Sequence, residues 1–238
     1  MTMKAIILAA GLGKRMRPLT NDLPKPLLNA SGKMLIEYHL EALANAGFKQ
    51  VIINTHWCAD KIPAALGSGE KWGLSLNYSH ETELLETAGG IRQALSLFCE
   101  QEEIFLVING DIYCEFDIAQ WLATYSRFDT DQSACLAMVP NPEQHAQGDF
   151  SLSSSGARLT LAETSNAPRY TYAGLALFRA SFFKGLDKNV MPLAPLLKKD
   201  IQAGKIVGTI MNEVWMDIGT PERLTALDNY LKQSKKVY

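Results

Sequence analysis

Residues 4–28 read KAIILAAGLGKRMRPLTNDLPKPLL, an apolar run followed by two glycines, one arginine two positions on, and a lysine held between prolines. Gly11 and Gly13 carry no Cβ and tolerate positive φ, so the backbone from Leu8 through Ala9 and Ala10 to Gly13 can approach anionic oxygens closely. Lys14, Arg15 and Lys25 add positive charge beside it. Pro24 and Pro26 each hold φ near −65°, which predicts a stiff, extended Lys25 that aims its ammonium. Together these residues describe a cradle for nucleotide phosphates. Read without Arg15 and Lys25, the same glycines describe only a tight strand-to-helix turn.

Two other phosphate loops are excluded by spacing. A dinucleotide fingerprint requires a third glycine three residues after the second, where Met16 stands. A Walker loop requires Ser or Thr after Gly-Lys and an earlier glycine five positions before Gly13, but those positions hold Arg15 and Leu8.

Phosphate chemistry of this kind draws on Mg²⁺, which takes one or two carboxylates while phosphates and water complete its octahedron. Asp111 qualifies by position, because Asn109-Gly110-Asp111 follows the apolar run 104–108 at the edge where the first strand delivers its glycine loop. Asn-Gly between apolar runs is also a favoured hairpin turn. Asp217 lies 106 positions later in WMDIGTPERL, so only a fold could unite the two; the lesser reading is a cap flanking a helix.

The elements that must position these groups alternate. Apolar β-rich runs occur at 5–9, 51–54, 74–78, 104–109 and 134–139, and helical spacing at 34–46, 60–66, 87–98 and 118–127. Alternation predicts an α/β fold: a twisted, mostly parallel sheet with helices on both faces, its ligands at the carboxyl ends of the strands. A turn-rich stretch at 141–167 reads as an insertion covering that edge. A strand at 172–178, a helix at 192–203, strands at 206–210 and 214–217, and a final helix opened by Thr220-Pro221 follow.

Composition narrows the function classes. The 238 residues are 47% hydrophobic and 20% charged with a formal net charge of −2, which suits one domain with a sizeable core. No block of Lys and Arg supplies the counterion release that nucleic acid requires. No segment has the length to span a bilayer, and the run at 5–10 is too short for a signal peptide, so a cytoplasmic protein without membrane partners is expected. Cys58, Cys99, Cys114 and Cys135 form no CxxC, and the four histidines show no metal-ligand spacing.

The segment from Leu8 to Leu27 resembles the opening motif LAAGxGxRxxPLTxxxPKPL of the sugar-nucleotide pyrophosphorylases, nucleotidyltransferases that join a sugar 1-phosphate to a nucleoside triphosphate. WMDIGTPERL resembles the family's WxDIGTPERL ending. The resemblance implies a single Rossmann-like domain over 1–238, with a nucleotide-binding half at about 1–111 and a sugar-binding half at about 112–238. It further implies small-molecule substrates, Mg²⁺ on Asp111 and Asp217, and Arg15 and Lys25 as catalytic cations. The nucleotide falls to Leu8, Ala9, Ala10, Gly11, Gly13, Lys14, Arg15, Lys25, Asn109 and the turn Glu86-Thr87-Ala88-Gly89, whose main chain would read the base edge. No β-helix or acetyltransferase domain, as some longer relatives append, is expected after the last helix.

LETAGG at 85–90, NPEQHAQGDF at 141–150 and PLAPLLKKDIQAGKI at 192–206 resemble the uridylyltransferase branch acting on N-acetylmuramate 1-phosphate, which recycles cell-wall sugars. Many relatives carry Glu-Lys-Pro where this chain has Glu163-Thr164-Ser165, so the lysine is missing. Glu163, Gly148, Asp149 and Gly174 are the candidate sugar-phosphate contacts; each glycine reads equally as a turn or bulge. Alternatives from the residues are a mannose- or glucose-1-phosphate transferase using GTP, dTTP or UTP, and a non-catalytic nucleotide-sensing subunit.

Overall fold

A computed structural model describes residues 3–98, 104–123, 129–153, 158–160, 166–186 and 190–234. In chain order, strand β1 (Lys4–Leu8) leads through the glycine loop to a short hairpin, β2 (Asn29–Ala30) and β3 (Lys33–Met34), then helix α1 (Leu35–Asn45). Next come β4 (Gln50–Thr55), α2 (Lys61–Leu66), β5 (Ser75–His80), α3 (Glu86–Leu95), β6 (Ile104–Asn109), β7 (Ile112–Cys114) and α4 (Ile118–Leu122). The later half contributes β8 (Ala134–Val139), β9 (Phe150–Leu152), β10 (Leu159–Thr160), β11 (Arg169–Arg179), α5 (Leu193–Gln202), β12 (Ile206–Ile210), β13 (Trp215–Asp217) and α6 (Pro221–Ser234).

Among the described residues, nine strands form one sheet. β5, β4, β1 and β6 are parallel neighbours, with Ile6 in register with both Ile52 and Val107. β11 runs antiparallel to β6, β8 and β9, and β12 pairs parallel with β8. The sheet is therefore mixed and mostly parallel, as expected, with β11 as the reversing strand. Among the described residues of the 141–167 stretch, β9 and β10 extend the sheet beside the first residues of β11.

Alternation along the central strands divides the core. Ile7, Ile53, Leu106 and Ile108 pack with Ile36 and Leu40 of α1 and Ile62 of α2 on one face. Ile6, Ile52, Phe105 and Val107 pack with Ile91 of α3 and Leu197 of α5 on the other. A period of two along each strand thus feeds two helix layers, each taking apolar residues at helical spacing.

A third cluster matters for the site. Met16 of the glycine loop, Leu28, Leu35, Tyr113, Ile218, Leu227 and Leu231 are buried together, so α6 folds back onto the amino-terminal loop. Burying Met16 completely anchors the loop that carries Arg15 and Lys25. Thr220 caps α6 through its Oγ1, which accepts from Arg223 N at 3.4 Å, and Pro221 takes the first helical position where no N–H is needed.

Candidate active site

The carboxyl ends of β1, β4 and β6 open into a cleft of about 290 Å³, near the lower end of the roughly 300–1,000 Å³ common for small-molecule sites. Leu8, Ala9, Ala10, Gly11 and Gly13 line it from the first loop; Lys25, Asn109 and Asp111 line it from the second and third segments, and Glu86 and Thr87 from the start of α3. A second lobe, sharing Gly13, Lys25 and Leu84 with the first, is bordered by Lys14, Arg15 and Gly219.

The loop is built as a turn. Gly13 sits at φ 59°, and its carbonyl accepts from Thr20 Oγ1 at 2.7 Å. A Cβ at Gly13 would press on the Thr20 side chain from 3.0 Å, whereas one on Gly11 would project into open space. Lys25 departs from the extended geometry expected of it. It opens a 3₁₀ turn, Lys25–Leu27, in which Leu27 N donates to Pro24 O at 3.0 Å. Such a turn asks nothing of Pro26, whose missing N–H is therefore harmless.

Lys25 Nζ lies 2.5 Å from Asp111 Oδ2, and its side chain is 11% exposed. The Asn109-Gly110-Asp111 segment is not a hairpin: β7 leaves β6 and pairs with β13 instead, with Asp217 opposite Ile112. Ile218 N donates to Asp111 O at 2.8 Å, and Gly110 N to Leu8 O at 2.9 Å. A Cβ at Gly110 would sit 2.7 Å from that Leu8 oxygen, so only glycine lets β6 close against β1 here. These backbone bonds bring residues 111 and 217 to neighbouring positions on one short antiparallel pair.

Asp217 forms an ion pair with Arg223 through Oδ2 and Nη1. Above Gly219, Arg15 Nη2, Arg223 Nη1 and Asp217 Oδ1 each lie 3.1 Å from the point a Cβ would occupy. The two carboxylates fit Mg²⁺: they are hard oxygen donors, and a pair is the usual protein share of such a site. Among the described residues no cluster of three or more His, Cys, Asp and Glu is gathered to hold a metal, the pattern a zinc site would show.

Sequence reasoning missed the floor of the cleft. Asn54 Oδ1 accepts from Ala9 N at 2.7 Å, Asn54 Nδ2 donates to Glu81 Oε1 at 2.6 Å, and Glu81 Oε2 accepts from Leu85 N at 3.0 Å. This buried chain ties the glycine loop, β4 and the start of α3 together. Beneath Asp111, His39 is buried with an unpartnered Nε2, and burial draws its pKa down to about 4 against the opposing pull of Asp111. Neither Asn54 nor Glu81 belongs to a motif; only their place at the ends of strands β4 and β5 pointed to this edge.

Other expected contacts fall elsewhere. Ala88 and Gly89 are buried and do not line the cleft, because their N–H groups both donate to Met191 O, at 2.9 and 3.2 Å. Gly148 O accepts from Arg169 Nη2 at 2.9 Å, while Asp149 pairs with His145 at 3.0 Å and accepts from Tyr172 N at 2.8 Å. These two residues thus brace a loop rather than face the cleft. Gly174 sits at φ +79° in a bulge of β11, where a Cβ would stand 2.8 Å from Asn109 Nδ2. Glu163 lies outside the described residues, as does Cys99. No described helix is long and apolar enough to cross a membrane.

Comparisons with known proteins bear on the family and the fold. The family model for nucleotidyl transferases matches residues 4–234. The chain is 41% identical over 224 residues to an N-acetylmuramate alpha-1-phosphate uridylyltransferase of Neisseria meningitidis serogroup B, covering 93% of this chain and 95% of that one. A protein of the same name from Caulobacter vibrioides is 31% identical over 237 residues, with 97% of each chain covered. A Bacillus anthracis protein crystallised with sucrose shares the fold with a TM-score of 0.83 at 20% identity, covering 96% of this chain and 95% of that chain. The chain belongs to the nucleotidyl transferase family and is an enzyme of sugar-1-phosphate nucleotidyl transfer.

Proposed function

We propose that the chain transfers the uridylyl group of UTP to N-acetylmuramate 1-phosphate, releasing pyrophosphate and UDP-N-acetylmuramate. The carrying observation is the 41% identity, over nearly the full length of both chains, to the Neisseria meningitidis relative bearing that name. The convergence of Lys25, Asp111, Asp217 and Arg15 at one strand edge supports the chemistry.

In this reading the nucleotide occupies the side built by residues up to Asp111, its base beside Glu86 and Thr87 and its phosphates over Gly11 and Gly13. The sugar 1-phosphate enters from the side of Asn109 and Gly174, with Gly148 and Asp149 shaping the neighbouring loop. A phosphate oxygen of the sugar 1-phosphate attacks the α-phosphorus in line, the α–β bridging bond breaks, and pyrophosphate leaves. A phosphate monoester loses its second proton near pH 6, so the nucleophile is already anionic and no general base is required.

The barrier is repulsion between polyanions, about 4 kcal/mol for each unit pair at about 4 Å and an effective dielectric near 20. Lys25 offsets it at the α-phosphate, and Arg15 and Lys14 at the departing pyrophosphate. Asp111 and Asp217 would hold Mg²⁺, which supplies charge neutralisation at the phosphate oxygens when bound.

A panel of UTP, dTTP, GTP and ATP against the 1-phosphates of N-acetylmuramate, N-acetylglucosamine, glucose and mannose, scored by pyrophosphate release, tests the substrate. Highest kcat/KM for UTP with N-acetylmuramate 1-phosphate is expected. Preference for GTP with mannose 1-phosphate overturns the assignment, and tight UTP binding without turnover on any sugar points to a sensing protein.

A further inference from the structure

Each of the two carboxylates assigned to the metal already faces a cation of its own chain. Lys25 Nζ occupies Asp111 Oδ2 at 2.5 Å, and Arg223 occupies Asp217 Oδ2. Arg15 Nη2 gathers at the same point above Gly219 as Asp217 Oδ1, and Lys14 borders the adjoining lobe. Three cationic side chains thus stand at two carboxylates, with Lys14 lining the adjoining lobe, a balance that repels a free divalent cation and attracts a polyphosphate.

We propose that Arg223 is a positioning residue that holds Asp217 in the nucleotide-free protein and yields it only when metal arrives together with polyphosphate. This rests on the reading of Asp111 and Asp217 as the metal carboxylates. Arg223 lies in the first turn of α6, and its side chain is 27% exposed, so it can swing from Asp217 toward an incoming phosphate without unpacking the core. Gly219 leaves room for the three groups to gather: a Cβ there would stand 3.1 Å from Arg15 Nη2, Arg223 Nη1 and Asp217 Oδ1 alike. Arginine suits the exchange because its planar fork pairs with carboxylate and with phosphate in the same geometry. No motif reading assigned a role to this side chain.

The test is Mn²⁺ binding followed by electron paramagnetic resonance, on the full chain, with and without a UTP analogue carrying a methylene between the α- and β-phosphorus. The wild type is expected to bind Mn²⁺ at least tenfold more tightly with the analogue than without it. Arg223→Gln is expected to bind Mn²⁺ about tenfold more tightly than wild type when no nucleotide is present, shrinking that difference. Arg223→Lys, which keeps a charge near Asp217, should restore the wild-type pattern in part. An R223Q affinity equal to wild type, while Asp217→Asn still weakens Mn²⁺ binding in the analogue complex, overturns the role of Arg223 and leaves the two-carboxylate site intact. Mn²⁺ binding by D217N as tight as wild type in that complex removes both.

Discussion

Gly90→Ala should destabilise this protein, although it replaces a mid-helix glycine. On helix propensity alone the change stabilises by about 0.8–1.0 kcal/mol. Here the new β-carbon would lie 2.4 Å from Glu81 Oε1 and 2.8 Å from Asn54 Nδ2, atoms that are themselves hydrogen-bonded at 2.6 Å. Glu81 is 1% exposed and Asn54 4%, so the displaced carboxylate finds no water. Hydrogen bonds to a charged group contribute about 1.5–3 kcal/mol each, and the change forfeits the bond from Asn54 and strains that from Leu85 N. Set against the propensity gain, the net loss is about 1–4 kcal/mol. Urea unfolding at constant m measures it. Because Ala9 N hangs on the same Asn54, KM for the triphosphate should rise about fivefold or more with kcat little changed. A variant as stable as wild type, or more so, refutes the claim that this buried pair is rigid.

Three further outcomes follow from the same geometry. Lys25→Met should lower kcat by about 10²–10³ while far-UV circular dichroism stays unchanged, since a preorganised cation at the α-phosphate acts mainly on the transition state; turnover within threefold of wild type contradicts its role. Glu86→Gly should raise the urea midpoint, because Glu86 holds φ at +60° and a left-handed residue with a Cβ costs about 1–2 kcal/mol; a lower midpoint contradicts that account. His39 is buried with its pKa lowered to about 4, chiefly by burial, while in the unfolded chain it takes a proton near 6.5. The unfolded state therefore binds the extra proton between these values, and stability falls as pH drops from about 6.5 to about 4, by up to about 3 kcal/mol. Urea titrations of wild type and His39→Phe at pH 7, 5.5 and 4.5 should show a shallower slope in the variant.

How much of this was legible in the sequence depends on how local each feature is. The central strands are apolar and β-rich, and the helices flanking them carry their own periodicity, so β6, β8 and β12 begin and end where the pattern places them. The glycine loop and WMDIGTPERL are long local motifs, and they meet where Arg15 reaches Gly219 at the second lobe. What the pattern hides is pairing at a distance. Nothing around Ile112–Cys114 signals that three residues will leave β6 to join β13, and the Asn-Gly dipeptide points toward a hairpin that the chain does not make. Ala88 and Gly89 look like free amides at a helix start until Met191, about a hundred residues on, is found accepting from both. Asn54, Glu81 and Arg223 are ordinary polar residues in isolation; their meaning lies in the partners that folding brings within reach. The β2–β3 hairpin, with Ser31 and Gly32 both at positive φ in its turn, was not legible in the pattern, because strands of two residues carry no periodicity.

The central chemical claim is attack by an oxygen of the sugar phosphate on the α-phosphorus with pyrophosphate leaving, and isotope placement reports on it directly. The chain, Mg²⁺ and UTP are incubated with N-acetylmuramate 1-phosphate carrying ¹⁸O on its non-bridging phosphate oxygens, and the products are resolved by mass spectrometry. The account predicts UDP-N-acetylmuramate that retains every labelled oxygen, formed in equal amount with unlabelled pyrophosphate. Label in the pyrophosphate, or UTP consumed with no sugar nucleotide formed, contradicts it.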